Sequence, residues 1–176
     1  NEVDLIDMKV ANKLYHGSKS SFKKPKLNGI GIFWLTDDIE AASCYAKEQL
    51  KFNVLPIMYE VKLKTSANIL DLQDQDAPLV KDFAKYLNDN RKNISNAFKK
   101  HKLGGAWWFS FEFLEENLDA LDWLAARVSG VLVADTCESY DHQSIALFDL
   151  AKIDSCTKIT AFKDEVQSAY NISTKI

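Results

Sequence analysis

Apolar residues recur along this chain with two different periods, and the periods divide it into elements. Between Ala77 and Asn88 they fall at Leu79, Val80, Phe83, Ala84 and Leu87, the stripe of a helix with one buried face. A second helix is expected over Lys92–Lys102, after which Gly104-Gly105 breaks the chain. A third helical stretch, rich in Leu and acidic residues, is expected over Phe109–Val128, with Gly130 ending it. Elsewhere the pattern is that of strands. Leu14–His16 reads as the end of one, and Ile30–Thr36 as a second. Val54–Leu63 reads as a third, alternating at Tyr59, Val61 and Leu63, and Ile69–Leu72 as a short fourth. Val131–Ala134 is a buried strand, Ser144–Asp149 another, and an extended segment runs from Ile153 through Phe162. Thr36 or Asp37 is the expected N-cap of a helix running to about Leu50, because Glu40 follows Asp37 at capping-box spacing. Polar connections fill Ser18–Asn28 and Asp135–His142.

The order is strand, strand-helix, strand, several helices, then strands. That is α+β and not a regular βαβ alternation. The 176 residues suit a single domain, 1–176, and 47% hydrophobic with 27% charged residues is the balance of an ordinary globular chain. A net charge of −3 argues against nonspecific nucleic-acid binding as the main task. No apolar run is long enough to span a membrane, and Asn1–Asn12 lacks the basic start and apolar middle of a signal peptide. Cys44, Cys137 and Cys156 are odd in number with no CxxC spacing, which predicts free thiols in a reducing compartment. His16, His101 and His142 are too scattered to form a ligand set, so no metal is expected. Neither GxGxxG nor GxxxxGK[ST] occurs.

Three places carry candidate chemistry. In Tyr15-His16-Gly17-Ser18 the glycine lets a ligand approach the backbone, whose N–H and C=O match a carboxamide edge, and Ser18 adds a hydroxyl. A histidine at a strand end is otherwise an ordinary turn residue. Trp34 and Tyr45 stand eleven residues apart, one on a strand and one on the helix after it. They are core residues in the bland reading. In the functional one they face each other across a slot for a flat heteroaromatic cation such as oxidised nicotinamide. The third place is Asp141-His142-Gln143, before an apolar strand. Gln143 donates and accepts hydrogen bonds but is no general base.

Tyr15-His16-Gly17-Ser18, Phe33-Trp34-x-Thr36-Asp37 and Ala41-Ala42-x-x-Tyr45 together resemble the ADP-ribosyltransferases of the diphtheria-toxin and poly-ADP-ribose-polymerase type. The clear likeness covers residues 14–46, with a weaker one over 130–153; the middle, 65–128, has no counterpart. The resemblance implies a split, mixed β-sheet core with flanking helices and a helical middle insertion. It implies that His16 hydrogen-bonds a ribose hydroxyl of NAD+, that the Gly17 backbone and Ser18 hold the nicotinamide end, and that Trp34 and Tyr45 sandwich the ring. Gln143 stands where the family has Glu. An amide supplies a dipole but no charge to the oxocarbenium-like transition state; Glu138 or Asp141 is the alternative third residue.

The implied activity is mono-ADP-ribosyl transfer from NAD+, as cosubstrate, to a protein or nucleic-acid acceptor with release of nicotinamide. The expected setting is a microbial toxin or effector, in the cytoplasm or exported to a target cell's cytoplasm, with an immunity protein or antitoxin as a further partner and no membrane. The alternatives on the same scaffold are a catalytically weak or inactive NAD+-binding module, an NAD+ glycohydrolase, and an RNA 2′-phosphotransferase. Lys19, Lys23, Lys24 and Lys26, and the Arg91–Lys102 cluster, are solvated surface in the plain reading and contacts to pyrophosphate or a nucleic-acid acceptor in the functional one.

Overall fold

In the computed structural model, which describes residues 13–18, 21–39, 41–42, 57–99, 110–137 and 140–159, the strands form two sheets. The first contains β1 (Leu14–Ser18), β3 (Ile57–Leu63) and β7 (Ile153–Lys158), in the order β1-β3-β7 and antiparallel throughout. The second runs β2-β6-β5-β4, with β2 (Phe33–Leu35), β4 (Ile69–Asp71), β5 (Gly130–Cys137) and β6 (Tyr140–Leu147). It is mixed: β4 lies parallel to β5, and the other pairs are antiparallel. The helices are α1 (Pro78–Asp89), α2 (Asn96–Lys99), α3 (Phe111–Glu116) and α4 (Leu118–Ala125). The class is α+β.

Strand alternation splits the core into layers. Leu14, Tyr59, Val61 and Leu63 from the first sheet pack against Phe33, Leu35, Leu132, Ile145 and Leu147 from the second. The opposite face of the second sheet, with Val131, Val133 and Ala146, is covered by Phe83, Leu87, Phe98, Phe113, Leu121 and Leu124 of the helical region. On the outer face of the first sheet Tyr15 and Met58 pack with Ala42. Among the described residues one antiparallel bridge stitches the two sheets: Tyr15 N–H donates to Thr36 O (2.7 Å) and Thr36 N–H to Tyr15 O (3.0 Å).

Several elements differ from the expected boundaries. The His16-Gly17-Ser18 segment is the continuation of β1, not a turn. β2 is shorter than Ile30–Thr36 because residues 28–32 form a tight turn around the Asn28 side chain. The N-cap of the following helix is Asp38, whose carboxylate accepts from Ala41 N–H (3.3 Å), while Thr36 Oγ1 accepts from Asp38 N–H (3.1 Å). Of the helix expected over Lys92–Lys102, the described residues form a 3-10 turn at Arg91–Asn93 followed by α2, interrupted at Ile94-Ser95, and positions 100–102 lie outside the described residues. The Phe109–Val128 helix is two helices broken at Asn117, whose Oδ1 accepts from Ser95 N–H (2.9 Å) and whose Nδ2 donates to Phe113 O (2.8 Å). Gly130 does not end a helix but opens β5, where a Cβ would lie 2.7 Å from Ala146 O. The expected loop Asp135–His142 is a hairpin: β5 and β6 pair as far as Cys137 and Tyr140.

Candidate functional site

β1 and β2 bring the first candidate residues together. Alternation along β1 puts Leu14 and His16 on the face turned toward the second sheet, and Tyr15 on the outer face. His16 lies over Phe33, ring centroids 4.1 Å apart and nearly parallel at 19°. Its Nδ1 is 2.7 Å from Trp34 O. A carbonyl only accepts, so Nδ1 carries the proton, and Nε2 keeps its lone pair when the ring is neutral. Burial holds the imidazole pKa below its ordinary value, against the smaller upward pull of the Trp34 carbonyl. His16 is therefore neutral at pH 7, with Nε2 able to accept a hydrogen bond.

A cavity of about 330 Å3 opens beside it. His16, Gly17 and Ser18 form one wall, Ile32, Phe33 and Trp34 the other, and Phe22, Lys26 and Asn28 border it from the connecting segment. Phe22 is anchored by stacking on Tyr59 at 3.9 Å, with the Tyr59 hydroxyl accepting from Phe22 N–H (2.9 Å). Phe22 also sits edge-on to Phe33, at 6.3 Å and 74°. The volume falls at the small end of ligand pockets, ~300–1,000 Å3.

The expected pairing of Trp34 with Tyr45 is not what organises this cavity. β2 alternates Phe33 and Leu35 toward the space between the sheets and Trp34 toward the helical layer, where its ring meets Phe111 edge-on at 6.4 Å and 84°. Trp34 borders the cavity, but the ring stacked on His16 is that of Phe33. Tyr45 lies outside the described residues, as does Glu138.

Gln143 stands on β6 opposite Ala134, exposed to solvent. Its strand position puts it on the face of Ile145 and Leu147, the face that meets the first sheet. Among the described residues it does not line the cavity beside His16. Leu147 pairs with Phe33, beneath His16, and Gln143 lies four residues further along β6, about 13 Å at ~3.3 Å per residue. Its Nε2 donates to Gln73 Oε1 (3.5 Å) and its carbonyl accepts from Thr36 Oγ1 (3.1 Å). Asp141 pairs with Thr136 in the hairpin.

Sequence reasoning missed a polar network on the other face of the same hairpin. Asp135, only 4% exposed, accepts from Ser144 Oγ, and His142 Nε2 lies 3.4 Å from its Oδ2. Glu115 is held above the usual carboxylate range by burial first and by the charge of Asp135 next. The carboxylate stands between the hydroxyl and the imidazole, so this is a joint that fastens β5 to β6, not a nucleophile-base pair. The signal that could have found it is parity: Asp135, His142 and Ser144 share the alternation of buried Val133 and Ala146. The same parity separates Phe33 from Trp34, but only once it is known which face the helices cover.

Comparison with protein-family models, with curated proteins and with solved structures finds no match for the chain.

Proposed function

We propose that this chain is an NAD+-dependent mono-ADP-ribosyltransferase built on the split-sheet architecture of the diphtheria-toxin type, acting as a microbial toxin or effector on a macromolecular acceptor. One observation carries the reading: His16, Gly17 and Ser18, at the end of β1, line a cavity next to the Tyr15–Thr36 bridge between the two sheets. The four-stranded mixed sheet beside a three-stranded antiparallel one, with the helices inserted between β4 and β5, also suits it.

In this reading the nicotinamide end of NAD+ lies against Gly17 in the cavity, and the lone pair of His16 Nε2 accepts from a ribose hydroxyl. The bond between the anomeric carbon and the pyridinium nitrogen breaks, and nicotinamide leaves neutral with the bonding pair. A lone pair of the acceptor forms the new bond to that carbon, and the acceptor's proton passes to solvent. Preorganised donors and acceptors around the ribose supply the rate enhancement.

The neutral amide of Gln143, paired with Gln73, favours a second reading in which NAD+ is bound and turned over slowly or hydrolysed without an acceptor. Incubating the chain with isotopically labelled NAD+ and cell lysate, followed by mass spectrometry, separates the two. Labelled protein or nucleic acid supports transfer, and free ADP-ribose with nicotinamide supports hydrolysis. His16→Ala is expected to lower either product about a hundredfold or more. Full turnover by a folded His16→Ala protein overturns the site.

A further inference from the structure

The rim of the cavity carries one kind of charge. Among its described lining residues Lys26 is the only Lys or Arg, and none is Asp or Glu. Lys26 is exposed and has no ion-pair partner among the described residues. Two positions on, Asn28 builds the turn that leads into β2. Its Oδ1 accepts from Ile30 N–H (3.1 Å) and Ile32 N–H (3.0 Å). Its own N–H donates to Ile32 O (2.8 Å), and its carbonyl accepts from Gly31 N–H (3.0 Å). Gly31 completes the reversal at φ 87°, a left-handed value that favours glycine.

A primary amide has one acceptor oxygen and two N–H donors. The oxygen of Asn28 is committed to the turn, so what the side chain has left for a ligand is Nδ2 and its donors, held still by the hydrogen bonds on the oxygen. An exposed ammonium and a fixed amide donor, with no carboxylate among the described lining residues, match a group that only accepts and is negative. Phosphate is that group.

We propose that the Lys26–Asn28 turn is the anion-recognition element of this cavity, and that its ligand is a phosphorylated nucleotide and not a nucleoside. The inference rests on the transferase reading only for the nicotinamide end of that ligand; the phosphate end is tested separately with ADP.

Calorimetry on the full chain, at low and at moderate salt, uses ADP, adenosine, NAD+ and nicotinamide riboside as probes. Wild type is expected to bind ADP more tightly than adenosine, and NAD+ more tightly than nicotinamide riboside. Lys26→Met weakens ADP and NAD+ by about tenfold, the size of one charge-assisted hydrogen bond. It also flattens their salt dependence and leaves the two nucleosides unchanged. Lys26→Arg restores the charge and most of the affinity. Asn28→Asp keeps the acceptor that the turn needs but replaces the donors with a negative charge, so it weakens both phosphorylated probes at unchanged thermal stability. Wild-type affinity for ADP and NAD+ in Lys26→Met, beside a His16→Ala protein that has lost NAD+, overturns the anion site and leaves the transferase reading standing. Lys26-dependent binding of ADP with no binding of NAD+ upholds the anion site and overturns the transferase. Binding of neither by wild type overturns both.

Discussion

His16 joins two roles that ordinarily compete. Stacked on Phe33 and tied through Nδ1 to Trp34 O, it is part of the packing between the sheets, and yet the residue also lines an open cavity. Burial lowers its pKa below the ordinary 6.5, so the unfolded chain binds a proton more readily than the folded one. The sign follows: the stability this neutral ring contributes is complete above pH 6.5 and is lost as pH falls from there through the lowered folded value. Thermal unfolding followed from pH 8 to pH 5 is expected to show a steeper loss for wild type than for His16→Gln; parallel curves would mean the ring is not held neutral. Gln143 offers the complementary test. Gln143→Glu puts a carboxylate at the position that the transferase reading gives to the family's Glu; if that position acts on the ribose, nicotinamide release is expected to rise several-fold, while Gln143→Ala lowers it. If neither substitution moves the rate, the third residue is elsewhere, with Glu138 the first to substitute.

Gly130 shows how one residue type sets an element. It opens β5 between β4 and β6, and an added Cβ would meet Ala146 O at 2.7 Å, Ile69 Cδ1 at 3.1 Å and Leu147 Cα at 3.2 Å. Two of those atoms are backbone and cannot swing away, so Gly130→Ala is expected to cost about 1–3 kcal/mol in urea unfolding. Gly29→Ala, with nothing within 4 Å of the new methyl, should stay within about 0.5 kcal/mol. The same glycine marks where periodicity stops being informative. α1 was legible to within a residue because Val80, Phe83 and Leu87 form one uninterrupted stripe. The break at Asn117 was not, because it is made by tertiary bonds to Ser95 and Phe113 that no local pattern encodes. The hairpin at Asp135–His142 was hidden for a related reason. A polar segment reads as a loop until Ser144 and His142 are seen to satisfy the buried Asp135 carboxylate. At the site, His16, Gly17 and Ser18 were legible from their types and order; that Phe33, not Trp34, meets His16 depends on which face the helical layer covers.

The two sheets pack face to face and, among the described residues, one backbone bridge joins their edges. Thr36 is at that joint with three bonds of different kinds. Its backbone pairs with Tyr15 of the first sheet, its Oγ1 accepts from Asp38 N–H at the start of the next helix, and its hydroxyl donates to Gln143 O on β6. Tyr15 is the neighbour of His16, so this one buried residue, through its backbone and its hydroxyl, links the strand that holds the imidazole to the strand that holds the glutamine. A link of this kind does more for relative placement than for stability, since one hydrogen bond between neutral groups contributes only ~1 kcal/mol net. Thr36→Val keeps the shape and the backbone bridge and removes the hydroxyl, leaving the Asp38 N–H and the Gln143 carbonyl to find water. The unfolding free energy is expected to fall by about 1–3 kcal/mol. Nicotinamide release should fall about tenfold at saturating NAD+ with KM little changed, because misplacing a group by an ångström costs more in the transition state than in binding. Thr36→Ser, which keeps the hydroxyl, should recover the rate. A Thr36→Val protein that is less stable but turns over NAD+ at the wild-type rate would show that the joint holds the sheets together without setting the geometry between His16 and Gln143.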